Sequence, residues 1–311
     1  MQVLYFFERI RNPFLDFLMS TLTHLGEETV LVALALVFLW CINKREGYYL
    51  LSVSFAGLVV NQFLKIVCRI PRPWVKDPSF TIVESARAEA TGYSFPSGHT
   101  QTAVGAYGSL AVWHKQKWVR IPMIALCLIV PVTRMYLGVH TPADVLVSLA
   151  IGTGIVFALY PFFRRLSEKP NLFYIPAGII LFLSLAFLIF METYHFPADT
   201  DAHNLASAVS NAYKITGSML GFLLMYYLDQ RFWKYETKAP LLSQILKILL
   251  GVLVVVVIKS LLKAPLLALT GGHESASAIR YFLLFAAAGI CPVLFPCFDR
   301  LAARLKKDKK N

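Results

Sequence analysis

Apolar runs close to the length of a bilayer crossing recur along this chain, near 28–43, 47–68, 99–114, 119–136, 142–163, 172–192, 205–228, 243–268 and 277–299. A helix crosses the hydrocarbon core with about 20 mostly apolar residues, and with fewer where flanking side chains snorkel to the interface. With 57% hydrophobic and only 15% charged residues among 311, the bilayer is the main solvent for such a chain. The expected fold is all-α: a polytopic helical membrane protein of about nine transmembrane helices. Residues 1–26 read differently. Leu4, Phe7, Phe14, Leu15 and Leu18 can share one face, whereas Glu8, Arg9, Arg11 and Asp16 oppose spanning, so an interfacial N-terminal helix is expected there. Its apolar run precedes its charges and no small-residue cleavage site follows, unlike a removable signal peptide.

A net charge of +12 suits a nucleic-acid partner when the basic residues gather on one surface, but here they fall on alternate loops. Lys44 and Arg45, then Lys115, Lys117 and Arg120, then Arg164, Arg165 and Lys169, then Arg231, Lys234 and Lys238, and finally the tail RLKKDKK share one side. The positive-inside rule makes that side, and the C-terminus, cytoplasmic. The lipid bilayer is thus the expected partner, and nucleic acid is not. The five cysteines, Cys41, Cys68, Cys127, Cys291 and Cys297, form no C-x-x-C pair and read as small buried hydrophobes. His114, His195, His203 and His273 lack metal-ligand spacing, so neither a metal nor a cofactor is expected. Asn61, Glu192, Lys214 and Lys259 lie within or at the ends of apolar runs, where polar groups are costly and serve either function or helix packing.

Three polar clusters interrupt the apolar pattern: Lys65 to Pro73 (KIVCRIPRP), Pro96 to His99 (PSGH) and Arg134 to Asp144 (RMYLGVHTPAD). The first ends the second run, the next opens the third, and the last joins the fourth to the fifth. Three helix ends would then meet at one interface, on the side away from the basic loops. Together the clusters supply cations, two histidines, a carboxylate and a glycine turn. Lys65 offers a point charge, Arg72 and Arg134 planar forks for paired oxygens, and Ser97 a hydroxyl. Gly98 permits close backbone approach, and the N-H groups beginning the following helix favour an anion. From spacing alone, this is a phosphate site.

The order Lys-x6-Arg-Pro, Pro-Ser-Gly-His and Arg-x5-His-x3-Asp resembles the signature of the type 2 phosphatidic acid phosphatase superfamily, which includes lipid phosphate phosphatases, glucose-6-phosphatase and vanadium haloperoxidases. The resemblance covers about residues 28–163. It suggests three parts: the interfacial segment 1–26, a phosphatase core of the six-helix type at 27–163, and a C-terminal transmembrane extension at 164–311 that carries no readable motif. One departure is Thr133 before Arg134, where the family usually has serine; its hydroxyl is a further candidate phosphate contact.

The resemblance implies a metal-independent phosphatase acting on a membrane lipid phosphate, with His140 as nucleophile. Asp144 is expected one turn further along the same helical face, accepting the Nδ1 hydrogen of His140 and leaving Nε2 free to attack. His99 is the expected acid for the leaving oxygen and base for the hydrolytic water. Alternatives are a soluble sugar-phosphate phosphatase, a phosphotransferase onto a lipid or sugar acceptor, and a lipid transporter that uses the cations only to bind.

Overall fold

The computed structural model describes residues 1–88 and 90–308, the side chains of Lys307 and Asp308 excepted, so Lys309 and Lys310 of the basic tail lie outside the described residues. Among the described residues there is helix but no strand. Two compact units are formed, and they interleave along the chain: one comprises Met1–Ala33, Tyr49–Pro161 and Phe190–Val209, the other Leu34–Tyr48, Phe162–Ile189 and Ser210–Asn311. The division at 163 follows the motifs, whereas the packing returns 190–209 to the first unit and draws 34–48 into the second.

In the first unit the N-terminal segment is two helices, α1 (Gln2–Ile10) and α2 (Pro13–Thr23), where a single interfacial helix was expected. The break has a local cause: a residue before proline is pushed out of the helical region, and Asn12 instead caps α2 by accepting from Leu15 N at 3.0 Å. The pair packs against the later helix that carries Arg134. Leu4 is fully buried, while Phe6, Phe14 and Phe17 remain exposed.

The following helices are α3 (Glu28–Val37), α4 (Lys44–Cys68), the short α5 (Pro73–Lys76), α6 (Gly98–Ala103) continuing through a π-helical turn into α7 (Ser109–Trp113), α8 (Lys117–Tyr136) and α9 (Pro142–Arg164). After them come α10 (Tyr174–Thr193), α11 (Ala202–Leu228), α12 (Leu241–Val256), α13 (Lys263–Leu269), α14 (Ser275–Ile290) and α15 (Phe295–Asp308). Among the described residues six segments are long and apolar enough to cross a membrane, and a seventh if Pro13–Gly26 and Glu28–Ile42, bent by 51°, are one span. The chain is an integral, multi-pass membrane protein. The 99–114 run is short for a crossing, and α11 carries Asn204, Ser207, Ser210, Asn211 and Lys214 in its first half.

The second unit turns a soluble protein's burial pattern inside out. Phe182, Ile189, Leu249 and Leu253 are exposed, whereas Ser184, Thr216, Ser243 and Lys247 are buried. Exposed apolar surface on that scale needs lipid to cover it. Inside, small residues bring helices together: a Cβ on Gly217 would lie 2.0 Å from the Ala278 carbonyl oxygen, and one on Gly221 would lie 2.5 Å from that of Phe282. Gly217-x3-Gly221 of α11 thus forms a close backbone contact with α14, as small-x3-small pairs do in membranes. The cysteines depart from expectation: only Cys291 is buried, and Cys68 and Cys297 are exposed. Membrane helices direct apolar side chains outward as readily as inward, so an apolar setting does not imply burial.

Candidate active site

All eight sequence-expected site residues lie in the first unit. Helix α4 ends in the turn carrying Lys65, and the chain then bends through Arg69, whose φ of 47° is left-handed. Pro73 opens α5 at its first position, where a missing N-H costs nothing, and Arg72 precedes it. Arg72 is 6% exposed. Its guanidinium donates to the carbonyls of Gly92 (3.1 Å), Thr91 (2.7 Å) and Val139 (3.0 Å). It also contacts His140 Nε2 at 2.9 Å. Lys65 is likewise buried and donates to the Tyr93 carbonyl.

Ser97 caps α6, accepting from Thr100 N at 3.4 Å and Thr100 Oγ1 at 3.0 Å, which keeps its own hydroxyl hydrogen for donation. Gly98 and His99 form the first turn of α6. Among the described residues a Cβ on Gly98 would meet only Asn61 Oδ1, at 3.8 Å, which leaves room beside this glycine at the helix start. His99 packs against the His24–Gly26 turn: a Cβ on Gly26 would sit 3.0 Å from the His99 carbonyl oxygen.

The third cluster owes its shape to two helix ends. Helix α8 stops at a glycine in the left-handed region, Gly138 with φ 83°. A Cβ there would strike Arg11 Nη2 at 2.8 Å and Phe80 at 3.0 Å. Arg134, near the end of α8, is 1% exposed and donates to Thr23 Oγ1 at 2.8 Å. Helix α9 then begins with a reciprocal capping box, Thr141-Pro-Ala-Asp144: Asp144 Oδ2 accepts from Thr141 N at 2.7 Å, and Thr141 Oγ1 accepts from Asp144 N at 3.4 Å. His140 therefore precedes the helix, which corrects the expected placement on the same helical face as Asp144. The carboxylate reaches it by turning back, Oδ2 lying 3.5 Å from His140 Nδ1. That is ion-pair range but longer than a hydrogen bond, and Nδ1 makes none among the described residues.

The tautomer of His140 follows from its neighbours. Arginine can only donate, so Nε2 beside Arg72 is the acceptor and the ring hydrogen belongs on Nδ1, toward Asp144. Burial first, and then the charges of Arg72, Lys65 and Arg134, hold the imidazole well below its ordinary pKa. The ring is thus neutral. His99 feels the same three cations.

Residues outside the motifs complete the arrangement. Ser94, fully buried, donates to Asp144 Oδ2 at 2.6 Å, and Ser97 N donates to the Asp144 carbonyl at 3.2 Å, tying the second cluster to the third. Arg11 donates through Nε and Nη2 to the Tyr136 carbonyl at 3.2 and 3.0 Å, and through Nη1 to the Thr81 carbonyl at 2.8 Å. Thr133, a suspected phosphate contact, instead donates to Val130 O within its own helix at 2.7 Å. Of these, the Thr-x-x-Asp cap was readable from sequence; Ser94, Thr23 and Arg11 carried no local signal. Among the described residues no three His, Cys, Asp or Glu side chains are arranged to hold a metal.

The comparisons with known proteins follow the same outline. The PAP2 superfamily profile matches residues 45–168, and the profile for the PAP2 superfamily phosphatase transmembrane extension matches residues 213–304. The chain is 32% identical over 157 residues to undecaprenyl-diphosphatase BcrC of Bacillus subtilis, covering 49% of this chain and 76% of that protein. It is 29% identical over 173 residues to phosphatidylglycerophosphatase B of the same organism, 51% of this chain and 80% of the relative. A more distant match, 22% over 271 residues, is to sphingosine-1-phosphate phosphatase 1 of Mus musculus, spanning 82% of this chain and 61% of the relative. No solved structure matches.

Proposed function

Since the chain belongs to the PAP2 superfamily and is a membrane phosphatase of that type, we propose that it hydrolyses a phosphomonoester or pyrophosphate of an amphiphilic lipid, through a phosphohistidine on His140. Polyprenyl diphosphates, phosphatidate-type lipids and sphingoid phosphates form the substrate class, in keeping with what the relatives' names say they act on. The observation that carries the mechanism is the placement of His140 Nε2 against Arg72, 2.9 Å away, with Nδ1 turned to Asp144.

In this reading an incoming phosphate takes over Arg72 Nη1 from His140, baring the Nε2 lone pair as it arrives. Lys65, Arg72, Arg134, the Ser97 hydroxyl and the Gly98 N-H hold the non-bridging oxygens, where charge gathers in the transition state. Nε2 bonds to phosphorus as the bond to the leaving oxygen breaks, and His99, which has taken a proton from the incoming phosphate monoanion, passes that proton to the leaving oxygen. Asp144 stabilises the positive charge growing on the ring. Water then attacks the phosphorus, giving its proton to His99, and the P–N bond breaks to release phosphate and neutral His140. Charge neutralisation comes from fixed cations, so no metal is required.

The test is phosphate release by the purified protein from a panel of lipid phosphates and diphosphates, assayed in EDTA. Release from at least one, lost in H140A, is expected; EDTA-sensitive release restored by zinc or magnesium would overturn the histidine mechanism. The site is further proposed to face away from the cytoplasm, with the C-terminus inside, on the strength of the basic loops. In a chain with Cys68 replaced by serine, Ala88→Cys should react with an impermeant maleimide from outside intact cells and Gln116→Cys should not. The reverse pattern would invert the topology.

A further inference from the structure

The second unit holds a cavity of about 180 Å³ lined by Ser210 and Lys214 of α11, Lys263 of α13, and Glu274, Ser277 and Arg280 at the start of α14. Three cations face one carboxylate. That carboxylate is already engaged, since buried Ser277 donates to Glu274 Oε2 at 3.0 Å. Arg280 reaches the Lys259 carbonyl only at 3.5 Å, and its Nε is buried with no hydrogen-bond partner among the described residues. Ionisable side chains between membrane helices are costly and mark binding sites or pathways. A buried guanidinium N-H without an acceptor is costlier still. The volume, about six times a water's share of liquid at roughly 30 Å³, admits a tetrahedral oxyanion. Such an anion would bring acceptors to Arg280 Nε and balance the excess of positive charge.

We propose that this cavity binds a phosphate group, either the head group of an anionic lipid or free inorganic phosphate. Arg280 supplies a fork, Lys214 and Lys263 supply point charges, and Glu274 sets an upper limit on affinity by repulsion. Nothing in this assignment depends on the reaction proposed for His140, which belongs to the other unit.

The test uses the full chain purified in a neutral detergent, with phosphatidylglycerol followed by native mass spectrometry in one arm and inorganic phosphate followed by thermal shift in the other. The active site also attracts phosphate, so the readout is the difference between wild type and variants. K214Q/R280Q should weaken one bound equivalent at least tenfold, K263Q should weaken it less, and E274Q should tighten it. A change confined to the lipid arm assigns the site to a head group, and a change in both arms assigns it to any phosphate. Should the double variant aggregate, the opposite signs expected of K263Q, on an exposed side chain, and E274Q still decide the matter. Unchanged affinity for both ligands in these single variants overturns the proposal.

Discussion

Replacing Asp144 by asparagine separates the charge of this residue from its shape. Its Oδ2 accepts from Ser94 Oγ at 2.6 Å and Thr141 N at 2.7 Å, and faces His140 Nδ1 at 3.5 Å. All three donors converge on one oxygen, so an asparagine places its carbonyl there and keeps every partner. Only the negative charge is lost. When Nε2 attacks phosphorus, the ring becomes cationic; a unit charge 3.5 Å from a carboxylate is worth about 5 kcal/mol at an effective dielectric of about 20. If most of that develops in the transition state, D144N lowers kcat by about 10³-fold, at about 1.4 kcal/mol per factor of ten. The Michaelis constant should stay level or fall, because a negative charge beside the phosphate has been removed. D144A differs by stranding the Ser94 and Thr141 donors at about 1 to 3 kcal/mol each, and should lower stability as well. Phosphate-release kinetics in detergent, paired with thermal melting, separate the two. A D144N enzyme keeping more than about a tenth of wild-type kcat would refute the electrostatic role.

Arg11→Gln, which loosens the grip on the Tyr136 and Thr81 carbonyls, should cut kcat about tenfold through misplacement of the 134–140 turn; unchanged steady-state kinetics would show the turn holds without it. Gly217→Val puts a Cβ 2.0 Å from the Ala278 carbonyl and should lower the detergent melting temperature, at about 3 kcal/mol or more for a backbone clash that cannot relax; an unchanged melting curve would contradict the close α11–α14 contact. Because burial keeps His140 unprotonated in the folded chain, the unfolded chain binds more protons below its ordinary pKa of about 6.5, and stability falls with falling pH by up to about 1.4 kcal/mol per unit. H140Q should flatten that slope between pH 7 and 5; an equal slope would mean the ring is protonated in the fold.

The membrane class and the three clusters were legible because each rests on a local pattern: apolar runs, and charged residues at helix ends in fixed order. The placement of His140 before α9 was legible in principle, from Thr141-Pro-Ala-Asp144 as a capping box, yet an i,i+4 helical pairing gives nearly the same spacing. Ser94 and Thr23 could not be found this way. They are 50 residues from Asp144 and 111 from Arg134, and a lone serine or threonine beside an apolar run has no periodicity to betray its partner. Gly217-x3-Gly221 was visible but silent, since small residues also occur singly on lipid-facing surfaces. Crossing count depends on marginal segments such as 99–114, where a short helix holds site residues at its first turn.

The most direct measurement is covalent labelling with a radiolabelled aryl phosphate, whose good leaving group does not need His99 as acid. Wild type should turn over and carry little label at steady state. H99A, without the base that activates water, should accumulate phosphoprotein, with the label mapping to His140. H140A should carry none and show no turnover. Label on both variants, or full turnover by H140A, would contradict the account outright; label on H140A but not on H99A would exchange the roles of the two histidines.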